Sequence, residues 1–142
     1  LIVEVTESAM MHDHKRAAEI LGDIRKGGVA ISIDDFGTGF TSFNLLKRLD
    51  LNELKIDNSF VRGMQAEGEE SSTDTAIVRA TADLAHNLGL TAVAEGVEDE
   101  WTLDLLANFG CDQAQGYHIA RPMPGPDFVQ WLEQSPWKTV ES

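Results

Sequence analysis

Short apolar runs alternate with stretches of helical periodicity along this 142-residue chain. Leu1 to Thr6 is β-branched and apolar before turning polar, the pattern of a buried strand. From Ala9 to Lys26 the apolar residues Met10, Ala17, Ala18, Leu21 and Ile24 recur at helical spacing, and Gly27-Gly28 marks the stop. Val29 to Ile33 predicts a second strand, closed by Asp34-Asp35-Phe36-Gly37-Thr38-Gly39. A short helix is expected over Thr41–Leu49, a third strand over Leu54–Ile56 and one turn of helix over Ser59–Gly63. Gln65 to Thr75 carries Glu67, Glu69, Glu70 and Asp74 among Gly and Ser, and reads as an acidic surface loop. A helix follows over Thr75–Leu88, then a fourth strand over Leu90–Ala94 and a helix over Asp99–Phe109. A fifth strand over Gln113–Ile119, an extended exit at Arg121–Pro124 and a last helix over Asp127–Glu133 complete the pattern.

Strands that alternate with helices imply right-handed βαβ units and a parallel sheet. The length suits a single core but falls short of a complete eight-stranded α/β barrel, which takes about 250 residues. The opening Leu1-Ile2-Val3 reads as the interior of a strand, so the chain is expected to be a piece of a larger protein.

Charge then narrows the partners. Twenty-four Asp and Glu against eleven Lys and Arg leave a net charge of −13. Phosphate backbones and anionic membranes attract Lys and Arg, so a DNA or RNA polymer is not expected as a partner. The lone Cys111 leaves no internal disulfide and no Cys-rich zinc site, which fits a reducing, cytoplasmic location. His12 and His14, two apart on an expected helix, make a poor metal pair. His86 and His118 read as rim residues, and Trp101, Trp131 and Trp137 as packing residues.

Parallel α/β folds place their chemistry at the carboxyl ends of the strands. Glu4 and Glu7 stand there on the first strand, Asp34 and Asp35 on the second, Lys55 and Asp57 on the third. The fourth brings Glu95-Gly96-Val97-Glu98 and the fifth Gln115-Gly116-Tyr117. So many carboxylates on one rim would raise one another's pKa unless a cation joined them, and oxygen ligands suit Mg²⁺ or Mn²⁺. An adjacent Asp-Asp pair is the arrangement used by two-metal phosphoester hydrolysis. Simpler roles compete: Glu7 and Asp57 as helix caps, Lys55 as a surface lysine, Asp34-Asp35 as a plain turn.

Taken together these strings resemble the EAL domain, a family of bacterial cyclic di-GMP phosphodiesterases. The resemblance rests on Val3-Glu4-Val5-Thr6-Glu7-Ser8, Ile33-Asp34-Asp35-Phe36-Gly37-Thr38-Gly39, Leu54-Lys55-Ile56-Asp57, Ala94-Glu95-Gly96-Val97-Glu98 and Gln115-Gly116-Tyr117 with Arg121-Pro122. It implies the last five βα units of a (β/α)₈ barrel, with the strands bearing the Glu-Ala-Leu and asparagine motifs missing. By this similarity Glu4, Asp34 and Asp35 are metal ligands for two divalent cations, Mg²⁺ or Mn²⁺, and Lys55 contacts the attacking water. Glu95 and Gln115 complete the catalytic shell. Glu7 anchors the loop after Asp34, with Asp57 and Glu98 in support. Gly37, Thr38, Gly39, Arg121 and Pro122 are implied to meet the substrate. The implied reaction is hydrolysis of cyclic di-GMP to linear pGpG by the parent protein, with this piece alone inactive. A cyclic di-GMP receptor that binds without hydrolysis is the alternative. Upstream regulatory domains and self-association through the open barrel edge are also expected.

Overall fold

The computed structural model describes residues 1–10, 13–38, 43–67 and 73–137, with the side chains of 43–45 and 65–67 excepted. Five parallel strands form one sheet in chain order: β1 (Ile2–Thr6), β2 (Ala30–Phe36), β3 (Glu53–Ile56), β4 (Thr91–Glu95) and β5 (Gln113–Gln115). Helices α1 (His14–Lys26), α2 (Phe43–Arg48), α3 (Asn58–Glu67), α4 (Thr73–Asn87), α5 (Glu100–Asn108) and α6 (Gly125–Gln134) intervene or follow. Each strand pairs with the next one in sequence, the wind of a barrel wall.

The register separates the two faces. Val5, Ile33, Leu54 and Ala92 lie side by side, as do Ile56 and Ala94. They pack under the helices against residues such as Leu21, Leu46, Val61, Val78 and Leu106. Residues one step along point the other way. Glu4, Ser32 and Glu53 are neighbours on that second face, as are Lys55 and Val93, and Glu95 and Gln115. One face of the sheet is therefore apolar and covered, and the other is largely polar.

Several boundaries differ from the expected ones. The helix over Ala9–Lys26 is two elements: a 3₁₀ turn at Glu7–Met10, and α1 from His14. Asp13 divides them, because its carboxylate accepts the Arg16 N–H at 3.0 Å and starts a new helix. β2 runs on through Phe36 and so includes both aspartates. The single turn at Ser59–Gly63 is the ten-residue α3. Gly63 lies inside α3 and close to α4, since a Cβ there would sit 1.8 Å from the Asp74 carboxylate. Both ends of the expected acidic loop are helical, Gln65–Glu67 in α3 and Thr73–Thr75 in α4, and Gly68 to Ser72 lie outside the described residues. The fifth strand ends at Gln115, not Ile119, where the N–H groups of Ile119 and Ala120 both turn back to Gly116 O at 3.1 Å. Thr41 and His12 also lie outside the described residues. Trp101 and Trp137 are exposed, though Trp137 stands edge-on to His118 at 6.2 Å, while Trp131 stacks on Phe128 at 5.7 Å. Among the described residues no helix is long and apolar enough to cross a membrane.

Candidate active site

At the carboxyl ends of the strands, Lys55 is buried and reaches three carboxylates from three different strands. Its Nζ lies 2.7 Å from Glu95 Oε1, 2.9 Å from Glu4 Oε1 and 3.4 Å from Asp34 Oδ1. Lys55 is therefore no surface lysine. Burial alone would lower its pKa, but the bonds from Glu95 and Glu4 outweigh that and hold it above the usual lysine value. Glu95 shifts upward too, chiefly through burial and with the Lys55 bond opposing. Both ends of one ion pair rise for different reasons: burial, with a smaller push from Asp34 and Glu4, outweighs the Lys55 bond at Glu95, whereas Lys55 itself meets three carboxylates.

Asp34 and Asp35 would ordinarily face opposite sides of the sheet, being consecutive in a strand. A bulge prevents this. The β2–β3 pairing runs from Ile33 opposite Leu54 to Phe36 opposite Ile56, so β2 carries one residue more than its partner. Asp35 takes φ +55°, a left-handed conformation that aspartate tolerates better than most residues. As a result Asp34, Asp35 and Glu95 each offer an oxygen within 4.8 Å of one another. Burial, then Asp34 and then Asp57 push the Asp35 carboxyl above its ordinary pKa, with Lys55 opposing.

Those oxygens fit a hard divalent cation. Metal–oxygen bonds of about 2.1 Å put ligands on opposite sides of an ion about 4.2 Å apart. The donor set is all carboxylate, the chemistry of Mg²⁺ and Mn²⁺ sites.

The remaining acids do different work. Glu7 is buried, and its Oε2 accepts the Gly37 N–H at 3.2 Å, tying the segment after β2 to the end of β1. Asp57 accepts the Ser59 N–H at 2.8 Å and caps α3, and the Ser59 hydroxyl bonds the same oxygen. Glu98 pairs with Arg62 of α3 at 3.0 Å. The rim therefore does not gather seven equivalent carboxylates: Glu4, Asp34 and Glu95 meet Lys55, Asp35 meets Asp57, and Glu7 and Glu98 fasten loops. Arg62 and Ser59 escaped sequence reasoning, because nothing local marks which residue of α3 faces Glu98 or Asp57.

Gln115 stands beside Glu95 in register but is exposed. It lines a pocket of about 420 Å³ with Tyr117, Arg121, Pro122, Met123 and Phe128. The Arg121 guanidinium lies 4.7 Å from the centre of the Tyr117 ring. Thr38 is exposed, its hydroxyl donating to Asp35 O at 2.8 Å. Gly39 lies outside the described residues.

A family model described as the EAL domain matches residues 1–122. The chain belongs to the EAL domain family. It is 48% identical over 129 residues to MucR of Pseudomonas aeruginosa, a bifunctional diguanylate cyclase/cyclic di-GMP phosphodiesterase, covering 91% of this chain and 18% of that protein. The solved MucR phosphodiesterase in complex with c-di-GMP superposes with a TM-score of 0.83 at 46% identity, over 90% of this chain and 50% of that one. The manganese/cyclic di-GMP complex of Klebsiella pneumoniae BlrP1 superposes with a TM-score of 0.74 at 33% identity, over 85% of this chain and 30% of that one. The chain thus spans under a fifth of the MucR protein and half of its solved phosphodiesterase chain. Like the solved EAL domains, it has the α/β architecture of a barrel wall.

Proposed function

We propose that the protein carrying this EAL chain hydrolyses cyclic di-GMP to linear pGpG in the cytoplasm, with Mg²⁺ or Mn²⁺ at a centre of two cations. The observation that carries the reading is the convergence of Asp34, Asp35 and Glu95 beside a buried Lys55 that pairs with two of them. In this reading residues 1–142 are the last five βα units of the barrel. The missing strands supply the Glu-Ala-Leu and asparagine motifs, and regulatory domains precede them. The half-length match to the solved MucR domain supports that assignment.

Glu4, Asp34 and Asp35 would hold the cations, with Glu95 offering a further oxygen beside Asp34 and Asp35. When bound, the cations lower the pKa of a coordinated water and offset charge on the phosphodiester. Lys55 is kept protonated by Glu95 and Glu4, so it donates hydrogen bonds at the reacting centre and orients the water for attack on phosphorus. Water adds and the P–O3′ bond breaks, which leaves a 5′-phosphate and a 3′-hydroxyl. Glu7 holds Gly37 and with it the end of the segment after Asp35, from which Thr38 approaches the substrate. Gln115, Arg121 and Pro122 line the adjoining pocket.

The test is conversion of cyclic di-GMP to pGpG by the full-length protein with added Mg²⁺ or Mn²⁺, followed by chromatography. Turnover that is lost on chelation and in Asp35→Asn supports the reading. Binding in Ca²⁺ without turnover in Mg²⁺ or Mn²⁺ makes the protein a receptor instead.

A further inference from the structure

Glu95 ends β4, and the chain beyond it runs where two glycines leave no room for a side chain. The chain leaves β4 through Gly96 at φ +78°, which L side chains rarely adopt. A Cβ on Gly96 would stand 2.9 Å from Cβ of Asn58, the first residue of α3. On the opposite side Gly116 passes so close that a Cβ there would lie 2.0 Å from Val97 O and 2.3 Å from Val97 N. The backbone locks the same approach. Val97 N–H donates to Gln115 O at 3.1 Å, and His118 N–H donates to Val97 O at 3.0 Å. One helical turn beyond Asn58, Arg62 adds its 3.0 Å ion pair with Glu98. The same end of α3 is capped by Asp57, the neighbour of Asp35.

One helix turn thus abuts the segments that carry two of the three clustered carboxylates. We propose that the N-terminal half of α3 is a positioning device: Asn58, beside Gly96, and Arg62, paired with Glu98, set the distance of Glu95 from Asp34 and Asp35 and thereby the site's affinity for its cation. The proposal rests on the metal-centre reading above. Magnitudes favour it. Relieving a 2.9 Å carbon–carbon approach to an ordinary contact takes a displacement of at least about 0.5 Å. Metal–ligand distances tolerate only about 0.2 Å.

The experiment compares full-length wild type, Gly96→Ala, Asn58→Gly and the double variant by titration with Mn²⁺ alone, by metal-free thermal unfolding and by turnover of cyclic di-GMP. Gly96→Ala is expected to weaken Mn²⁺ binding at least tenfold. The double variant is expected to regain at least fivefold of that, because Asn58→Gly removes the obstructing Cβ but not the strain at φ +78°. Mn²⁺ affinity that stays within twofold across the set while thermal stability falls and recovers marks a merely structural contact and overturns the proposal. A double variant that binds no better than Gly96→Ala overturns it as well. Should Gly96→Ala not fold, the surface pair carries the test: Arg62→Glu and Glu98→Arg each weaken Mn²⁺ binding about threefold, and the exchanged pair recovers it. No loss in either single variant overturns the proposal. A wild type that binds Mn²⁺ but leaves cyclic di-GMP intact defeats the proposed activity alone, and the Mn²⁺ titrations still decide the positioning role.

Discussion

Lys55 meets carboxylates from β1, β2 and β4, so its replacement is felt across most of the sheet. Lys55→Met leaves those acids facing one another without a counter-charge. Loss of one partner from a fully buried pair costs about 3–5 kcal/mol, but Glu4 is half exposed and solvent takes part of that load. A loss of about 1–3 kcal/mol is expected in metal-free urea unfolding, together with a fall of at least about a hundredfold in turnover by the full-length protein. Asp112 gives a second residue-scale prediction. Its carboxylate accepts the Ala92 N–H at 2.8 Å and contacts His86 Nε2 at 2.9 Å, and these bonds hold its pKa below the usual value. A depressed folded pKa means the contribution is complete above the unfolded value, near about pH 4, and is lost as pH falls through the folded one. The melting temperatures of wild type and Asp112→Ala should therefore differ near neutrality and converge below about pH 4. The residues of the site were readable from sequence as types, but their partners were not. Asp34 and Asp35 illustrate why: strand alternation sends them to opposite faces, and only the bulge at Asp35 reunites them.

Elements were legible where a signal is local. Asp99 precedes an apolar helical pattern, and its Oδ1 accepts the Thr102 N–H at 2.8 Å. Asp99→Ala should cost about 1 kcal/mol in urea unfolding without altering Mn²⁺ affinity, since the cap serves α5 alone. Asp13 plays the same part for α1, yet it was hidden within a run of helical spacing. Boundaries failed where a distant segment decides them. The turn expected over Ser59–Gly63 continues to Glu67 with α4 packed on Gly63, and β5 ends early where Gly116 passes the Val97 backbone. Such close approaches join residues far apart in sequence and leave no periodic trace.

At the scale of the whole molecule, a parallel sheet normally has both faces covered, whereas here helices cover one and the other carries the site. α6 buries none of its side chains, and Phe128, Val129 and Leu132 remain 45–59% exposed. Ile2 on the edge strand β1 is also exposed. Residues 1–142 made alone should self-associate through such surfaces in sedimentation velocity and turn over little or no cyclic di-GMP. A monomer with full turnover would contradict both parts. The sequence by itself determined the alternation of strand and helix, the kinship to EAL domains, and the supply of acids, lysine and amide at the strand ends. These follow from local periodicity and contiguous motifs. Tertiary structure alone decided that Glu4, Asp34 and Glu95 share Lys55, that Asp35 swings beside Asp34, and that Glu7, Asp57 and Glu98 fasten onto Gly37, Ser59 and Arg62. Sheet register, a one-residue bulge and contacts between remote backbones set these relations, and none of them is a property of any short stretch of chain.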